Sequence, residues 1–590
     1  MTVHTFGKAV KRAACLALGI LLAALGAGAA PSLIVVRQEE HLELNREKFK
    51  AILDIHRRHP GSCDEFWMSD RDFFRTFSDL TNHLAATEAC RADFERAGVK
   101  IAFQQGYNLG HWYNGDIETF RAAYPKGAEI FVYDRDGKEC EGFLCPRSPE
   151  VLDRERKYVE LVVRTIRPAS YWIDDDLRLS FGSKPDGCYC ARCVAAFNAK
   201  YGLRLTREEL VKRIYSDEDR EPLRAKWSAF NAESLAGYMA AAREGADRVG
   251  GKVLLGQESI WPELTYSGRD YFPRLRVLSN GGRHEVGIRA GAGWWKEDSP
   301  RGMVEKALSV AREAERCRTA GFVTTVCYEE ENLQRIVLNK SPGAIVTEAA
   351  LGLASGCDTI SLYFNDERIP EPIEEYERFA KHVAAARPYY EALAAASKRT
   401  RLAGLSRFVG SAADERRGFD FRDGSELPWA LAGIPISVME AEYPLWYVNE
   451  TSRREMTPAD KEKLAKGTVV ELPRMRLDRP TQAERQQLLE AIDRATQGTF
   501  PVRVDACRPL RVLPRVNVAG ELDCVTLLNC SIGETDELKV RVRRPVGAKA
   551  VWMQPGKAPV ALKYEAGEKE GVLTVPSIAG WQIGTVFFGK

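Results

Sequence analysis

The chain has 590 residues, too many for one hydrophobic core, so about three domains of 100–350 residues are expected. With 45% hydrophobic and 28% charged residues it has the composition of an ordinary globular protein. Lys+Arg of 85 against Asp+Glu of 83 leaves a net charge of +2, which removes any electrostatic basis for a nucleic-acid partner.

At the N-terminus Lys8, Lys11 and Arg12 precede an apolar run from Ala13 to Ala30 that ends in the small-residue site Ala27-Gly28-Ala29. This pattern predicts a signal peptide over 1–29 and an exported mature chain, periplasmic or extracellular, with no stable membrane insertion after cleavage. An uncleaved signal anchor is the alternative, because the run is just long enough to span a bilayer. Removing Cys15 with the signal leaves an odd number of the 14 cysteines, so not all of them can pair with one another.

Residues 41–59 read as a charged amphipathic helix ending at His59-Pro60-Gly61. Short apolar runs then alternate with helical patterns: CDEFWMSD (63–70), VKIAFQQG (99–106), SYWI (170–173), KVLLGQES (252–259), RVLSNGG (276–282), FVTTVCYEEEN (322–332) and DTISLYFND (358–366). A hairpin with Asp136-Gly137 at its turn is expected over 129–146. Continuous rather than alternating apolar strands imply a parallel sheet covered on both faces. The fold class is therefore α/β, with a (β/α)8 TIM barrel over 30–388; an open doubly wound sheet is the runner-up, disfavoured because no glycine-rich phosphate turn opens a helix. A smaller α/β, flavodoxin-like domain over 389–505 and a β-sandwich over 506–590 complete the chain.

Barrel enzymes carry their chemistry at strand C-terminal ends. The polar groups at those positions are Asp70, Gln104 and Gln105, Asp174–Asp176, Glu258, Glu329–Glu331, Asn365 and Asp366. Side chains alternate along a strand, so Asp174 and Asp176 share one face and Asp175 the other, while Glu329 and Glu331 share a face opposed by Glu330. Two carboxylates converging from separate strands suit glycosidic cleavage, one protonating the leaving oxygen while the other attacks the anomeric centre. Solvated acidic clusters, salt bridges to Arg178 or Arg335, and oxygen ligands for a cation are the competing readings. A non-catalytic carbohydrate-binding protein on a decayed glycosidase scaffold is a further alternative. Trp112, Tyr171, Trp261, Trp294, Trp295 and Tyr328 fall at or beyond strand ends, where flat rings stack on sugars, and Asn108 and His111 are candidate partners for hydroxyls.

Twelve residues past Asp176, Cys188-x-Cys190-x-x-Cys193 puts three thiols within six residues. Such spacing wraps a tetrahedral Zn2+, which needs a fourth ligand: Cys145 is the first choice and Cys140 the reserve. Disulfides are the alternative in an exported chain, though C-x-C is awkward for a bridge.

In these features the chain resembles glycoside hydrolase family 42, the β-galactosidase-like enzymes of the large retaining barrel clan, and uncharacterised relatives of that family. The matching features are the acidic triplet followed by the thiol cluster with Cys145 43 residues upstream of Cys188, the Lys340-Ser341-Pro342-Gly343 and ALGLASGCDTISLYF (350–364) stretches, and the domain order. The resemblance implies a retaining glycosidase with a structural zinc and no organic cofactor, acting on an oligo- or polysaccharide. Its acid/base residue would be Asp176 at the end of strand four, where the family has Glu, with Asp174 as the fallback and Asp175 in place of the preceding Asn. The nucleophile would end strand seven at Glu329 or Glu331. Asp175, Asn108, His111, Trp294 and Tyr328 would bind substrate. The family's middle domain mediates trimerisation, which implies a homotrimer here.

Overall fold

Eight parallel strands close into a barrel in chain order: β1 (Ile34–Gln38), β2 (Glu65–Asp70), β3 (Lys100–Gln105), β4 (Ser170–Ile173), β5 (Leu254–Glu258), β6 (Val286–Ala290), β7 (Val323–Glu331) and β8 (Thr359–Tyr363). The ring is completed by the pairing of Ile34, Val35 and Val36 with Ile360, Ser361 and Leu362. This computed structural model describes residues 32–589 apart from 39–45, 71–75, 107, 111–116, 176, 180–186, 216–219, 251, 260–270, 319, 333–337, 364–371, 405, 408–444, 449–460, 463–464, 466–467, 472–480, 498–500, 506–507, 544–548 and 569. The apolar run and cleavage site of 1–29 lie outside the described residues, as do Asp176, His111, Trp112, Trp261, Asn365 and Asp366. Among the described residues no helix is long and apolar enough to cross a membrane.

Helices cover the outside of the barrel, among them Pro149–Ile166, Arg220–Val249, Arg301–Arg318 and Pro342–Ala354. The last begins with Ser341 as its cap, whose side chain accepts from the Ala344 amide, and Pro342 follows where no helical N–H is needed. With helices outside and a packed core inside, the strands are buried on both faces, which is why β4, β6 and β8 are buried along their whole length.

Period-two alternation then sorts the inward side chains into layers. Val35, Trp67, Ala102, Trp172 and Cys327 pack together as the floor. The Trp67 and Trp172 rings stack with centroids 4.6 Å apart. Gly256 and Gly287 make room for them: a Cβ at either would lie 2.2 or 2.5 Å from the Trp172 ring. One step further along β1 to β7 the inward residues become Arg37, Ser69, Gln104, Asp174, Glu258, Arg289 and Glu329. An apolar floor thus carries a polar layer at the C-terminal mouth.

Two expectations need correction. RVLSNGG (276–282) is not a strand: it is the end of the helix Tyr271–Leu278 and the turn after it, and β6 lies at Val286–Ala290. Its inward positions are Gly287 and Arg289, so it lacks the continuous apolar signal of its neighbours. The first barrel strand is not the 63–70 run, the earliest strand expected from the sequence, but Ile34–Gln38, which precedes the helix Arg46–Arg58.

Beyond the long helix Ile373–Arg399, a parallel three-stranded sheet joins Ser406–Arg407, Leu445–Val448 and Thr468–Glu471. The helix Gln482–Ala495 follows, started by a reciprocal cap between Thr481 and Glu484. Two antiparallel sheets of six and four strands then face one another across a shared core that includes Val512, Leu527, Trp552, Val540 and Leu573, a β-sandwich. Arg401–Leu402 and Val502–Asp505 each supply an edge strand to it.

Candidate functional site

The polar layer is organised by one side chain, Arg289 from β6, which is 1% exposed. Its Nη1 lies 2.6 Å from Glu329 Oε1 on β7 and 2.9 Å from Glu258 Oε2 on β5. Its Nη2 reaches toward β4, 3.6 Å from Asp175 Oδ2 and 3.9 Å from Asp174 Oδ1. A second buried guanidinium, that of Arg37 from β1, stands 3.5 Å from the same Glu329 Oε1 and lies over the Tyr363 ring. Both arginines therefore address one oxygen of Glu329. Its other oxygen, Oε2, has no hydrogen-bond partner among the described residues. Gly291 leaves space beside that oxygen, since a Cβ there would be 2.3 Å from it.

Glu258 is held from the opposite side. Gln104 Nε2 donates to both of its oxygens, at 3.0 and 2.9 Å, and Ser69 donates to Gln104 Oε1, fixing the amide. Burial pushes the Glu258 carboxyl well above its ordinary pKa; Arg289 opposes that and the neighbouring Asp174 carboxyl reinforces it. Glu329 is likewise raised, first by burial, with Arg289 and Arg37 pulling down and Glu331 pushing up. Burial alone would lower Arg289, but Glu258, Glu329, Asp175 and Asp174 together hold it well above its usual value.

Of the residues singled out from sequence, Asp174, Asp175 and Glu329 converge on Arg289. Asp175 was expected on the face opposite Asp174, but the strand ends at Ile173, so alternation does not carry into the triplet. Asp174 Oδ1 accepts from the Asp175 amide, and Asn108 Nδ2 donates to the Asp174 carbonyl, so Asn108 braces the end of β4 from a buried position. Glu331 is partly buried at the end of β7, and its carbonyl accepts from Lys340. Trp294, 49% exposed, stands three residues past Gly291 with the Lys296 ammonium near its ring. Tyr328 belongs elsewhere. It occupies an outward position on β7, is fully buried, and donates to Glu348 on the covering helix, because period two turns it away from Glu329. Tyr171 is outward too, stacked on Phe103 and donating to Gln105. Sequence reasoning assigned no role to Arg37, Arg289 or Glu258; the signal available for the arginines was a charged residue inside an apolar run, IVVRQ or VGIRA.

Behind β7 lies a second charged cluster. Lys340, fully buried, donates to Glu330 at 2.9 Å, to Glu348 at 2.7 Å and to the Glu331 carbonyl at 2.6 Å. Lys306 lies 3.1 Å from the other Glu348 oxygen. Burial raises Glu330 to about 7, with Lys340 opposing and Glu348 adding to the rise. Burial would raise Glu348 as well, but Lys306 and Lys340 together hold it below its ordinary value.

The thiols of Cys145, Cys188, Cys190 and Cys193 are buried and lie within 4.8 Å of one another. Cys145 Sγ is 3.9 Å from Cys190 Sγ and 3.6 Å from Cys193 Sγ. The edge of a tetrahedron with metal–sulfur bonds of about 2.3 Å is about 3.8 Å, so the four could hold a metal ion. No disulfide joins the described cysteines, and Cys140 stands apart from the cluster, directed at the Lys138 carbonyl. Tyr189, between Cys188 and Cys190, donates its amide to the Tyr133 carbonyl, so the cluster joins the hairpin Phe131–Tyr133/Glu139–Leu144 to the loop after β4.

No family model and no curated protein matches the sequence. Solved structures do match in fold. The α-L-fucosidase isoenzyme 2 from Paenibacillus thiaminolyticus aligns over 95% of this chain and 100% of its own, with a TM-score of 0.61 and 14% identity. The β-galactosidase from Bacillus circulans sp. alkalophilus aligns over 95% and 99%, with a TM-score of 0.62 and 10% identity. The chain thus shares its barrel fold with glycoside hydrolases.

Proposed function

We propose that this chain is a retaining glycoside hydrolase with Glu329 as its nucleophile and an aspartate of the β4 triplet as its acid/base. The observation that carries the reading is the state of Glu329: two guanidiniums engage Oε1 while Oε2 accepts no hydrogen bond from the described residues, which leaves lone pairs for attack. Arg289 links that carboxylate to Asp174 and Asp175 of the same triplet, which supports an aspartate of that triplet as its partner. Asp176 is the acid/base by the resemblance to family 42, and Asp174 is the fallback. In the first step Glu329 Oε2 bonds to the anomeric carbon as the glycosidic C–O bond breaks, and the aspartic acid gives its proton to the leaving oxygen. In the second, the aspartate takes a proton from water, whose oxygen displaces Glu329 and releases the sugar. Burial of Glu329 among positive charges favours Glu329 over Glu331 for the nucleophile's role.

The other parts follow the same reading. The four thiols hold a structural Zn2+ that braces the loop after β4, the leader 1–29 directs export, and residues 30–388, 389–505 and 506–590 act as catalytic, assembly and sandwich domains of a homotrimer. The substrate is an oligo- or polysaccharide. A panel of aryl glycosides tests the activity, starting with β-galactosides and α-L-fucosides, the classes named for the two fold relatives. Glu329→Gln is expected to lower kcat by a factor on the order of 10^4 to 10^6. A 2-fluoro glycoside should label peptide 323–331 in the native protein and not in the variant. Turnover by Glu329→Gln at the native rate refutes the nucleophile. Sugar binding without turnover in the native protein establishes the carbohydrate-binding alternative instead.

A further inference from the structure

The natural grip of a guanidinium on a carboxylate is a fork, two parallel N–H···O bonds that occupy both carboxylate oxygens. Arg289 does not make one with Glu329. A single nitrogen, Nη1, is shared between Glu329 Oε1 and Glu258 Oε2, and neither Nη2 nor Nε has a hydrogen-bond partner among the described residues. A fork on Glu329 would occupy Oε2, the oxygen required for attack. Nη2 stands only in longer ion pairs with Asp175 and Asp174, beyond hydrogen-bond distance, so it could turn to that grip. Glu258, which takes Nη1 at 2.9 Å, is the group that holds the guanidinium back.

Glu258 is built for the purpose. It is fully buried, and both of its oxygens are taken by Gln104 Nε2, whose own oxygen accepts from Ser69. A carboxylate fixed on three strands cannot follow the arginine, so the arginine stays with it. We propose that Glu258 is a positioning residue that holds Arg289 in a one-oxygen contact with Glu329 and so keeps Glu329 Oε2 free. The inference rests on the assignment of Glu329 as nucleophile. It adds that a third carboxyl, fully buried beneath the mouth, governs how the nucleophile is presented.

The test uses the full chain with Glu258→Gln, an isosteric change that Gln104 can still contact. A crystal structure of the variant is expected to show Arg289 turned onto both oxygens of Glu329. Arg289 retaining its single-oxygen contact there overturns the inference, whatever the activity. In kinetics, kcat is expected to fall about 100-fold, as a misplaced reactive group does, with KM changed less than about threefold. The acid limb of the kcat profile should also move to lower pH, because a forked ion pair favours the ionised Glu329 against the burial, Glu331, Arg37 and Lys306 contributions that stay in place. Adding Arg289→Lys, whose ammonium cannot fork, is expected to recover at least about tenfold of the loss. Native kcat and an unmoved acid limb in Glu258→Gln overturn the inference while leaving the proposed reaction standing. Native-like turnover by Glu329→Gln brings down that reaction instead, and the crystal structure still decides the geometry.

Discussion

Glu330 offers the most quantitative test of the charged architecture around β7. Its carboxyl is fully buried, and its pKa stands at about 7 against an ordinary 4.5 because burial outweighs the attraction of Lys340. A carboxyl whose folded pKa is raised binds its proton more tightly in the folded state, so its contribution to stability is intact below about pH 4.5 and is lost as pH rises through about 7. Linkage over those two values makes the folded state less stable by about 2.5 kcal/mol between about pH 5 and about pH 8. Glu330→Gln removes that titration and leaves Lys340 with Glu348 and the Glu331 carbonyl. A chain of several domains does not unfold in one step, so the comparison is best made locally, by hydrogen exchange of peptide 323–331 at matched pH. The variant's protection relative to the native chain is expected to rise about seventyfold from about pH 5 to about pH 8, the exchange equivalent of about 2.5 kcal/mol. A ratio that stays flat within about threefold over that range would show that Glu330 titrates normally and that the buried cluster is misread.

Gly291→Ala would put a Cβ 2.3 Å from Glu329 Oε2 and 2.5 Å from the Ser259 carbonyl, so the glutamate must move. Steady-state kinetics should show kcat lower by on the order of 100-fold, and a change under about threefold would contradict the position given to Oε2. Cys193→Ser should reduce the metal measured by elemental analysis from about one zinc per chain to near none and lower the barrel's unfolding midpoint by about 5–10 °C. Full zinc content in that variant would remove Cys193 from the ligand set.

The parts of this protein that were legible in the sequence are those governed by local periodicity. Continuous apolar runs announced the barrel, and the side-chain period of two correctly separated Glu329 from Glu330 on opposite faces of β7. The thiol spacing pointed to Cys145, which the chain brings to within 3.6 Å of Cys193. Arg289 escaped for a physical reason. A charged residue inside a strand breaks the apolar signal, and here the charge is tolerated only because Glu258, Glu329, Asp174 and Asp175 arrive from three other strands. No local pattern encodes that convergence. Tyr328 shows the opposite error: an aromatic at a strand end was read as a sugar platform, although its outward parity and its contact with Glu348 make it part of the helix-facing core.

The outward cluster also bears on how the site keeps its shape. A buried ion pair is weak evidence for stability, since desolvation offsets most of the Coulomb attraction. Lys340 does more than pair charges: it joins the Glu330 side chain, the Glu331 carbonyl and Glu348 of the helix Pro342–Ala354 in one set of bonds. The segment that carries it also starts that helix at Ser341, whose amide and hydroxyl donate to Glu297 after β6. The C-terminal end of β7 is thereby tied to the helix behind it and to the loop that follows Arg289. Alternation on one strand puts Glu329 into the barrel while the next residue anchors the backbone that carries it. A carboxylate held with one oxygen engaged and the other left for attack, as proposed for Glu329, requires such an anchor, because the inward arginines pull on it from β1 and β6 and offer nothing to resist that pull.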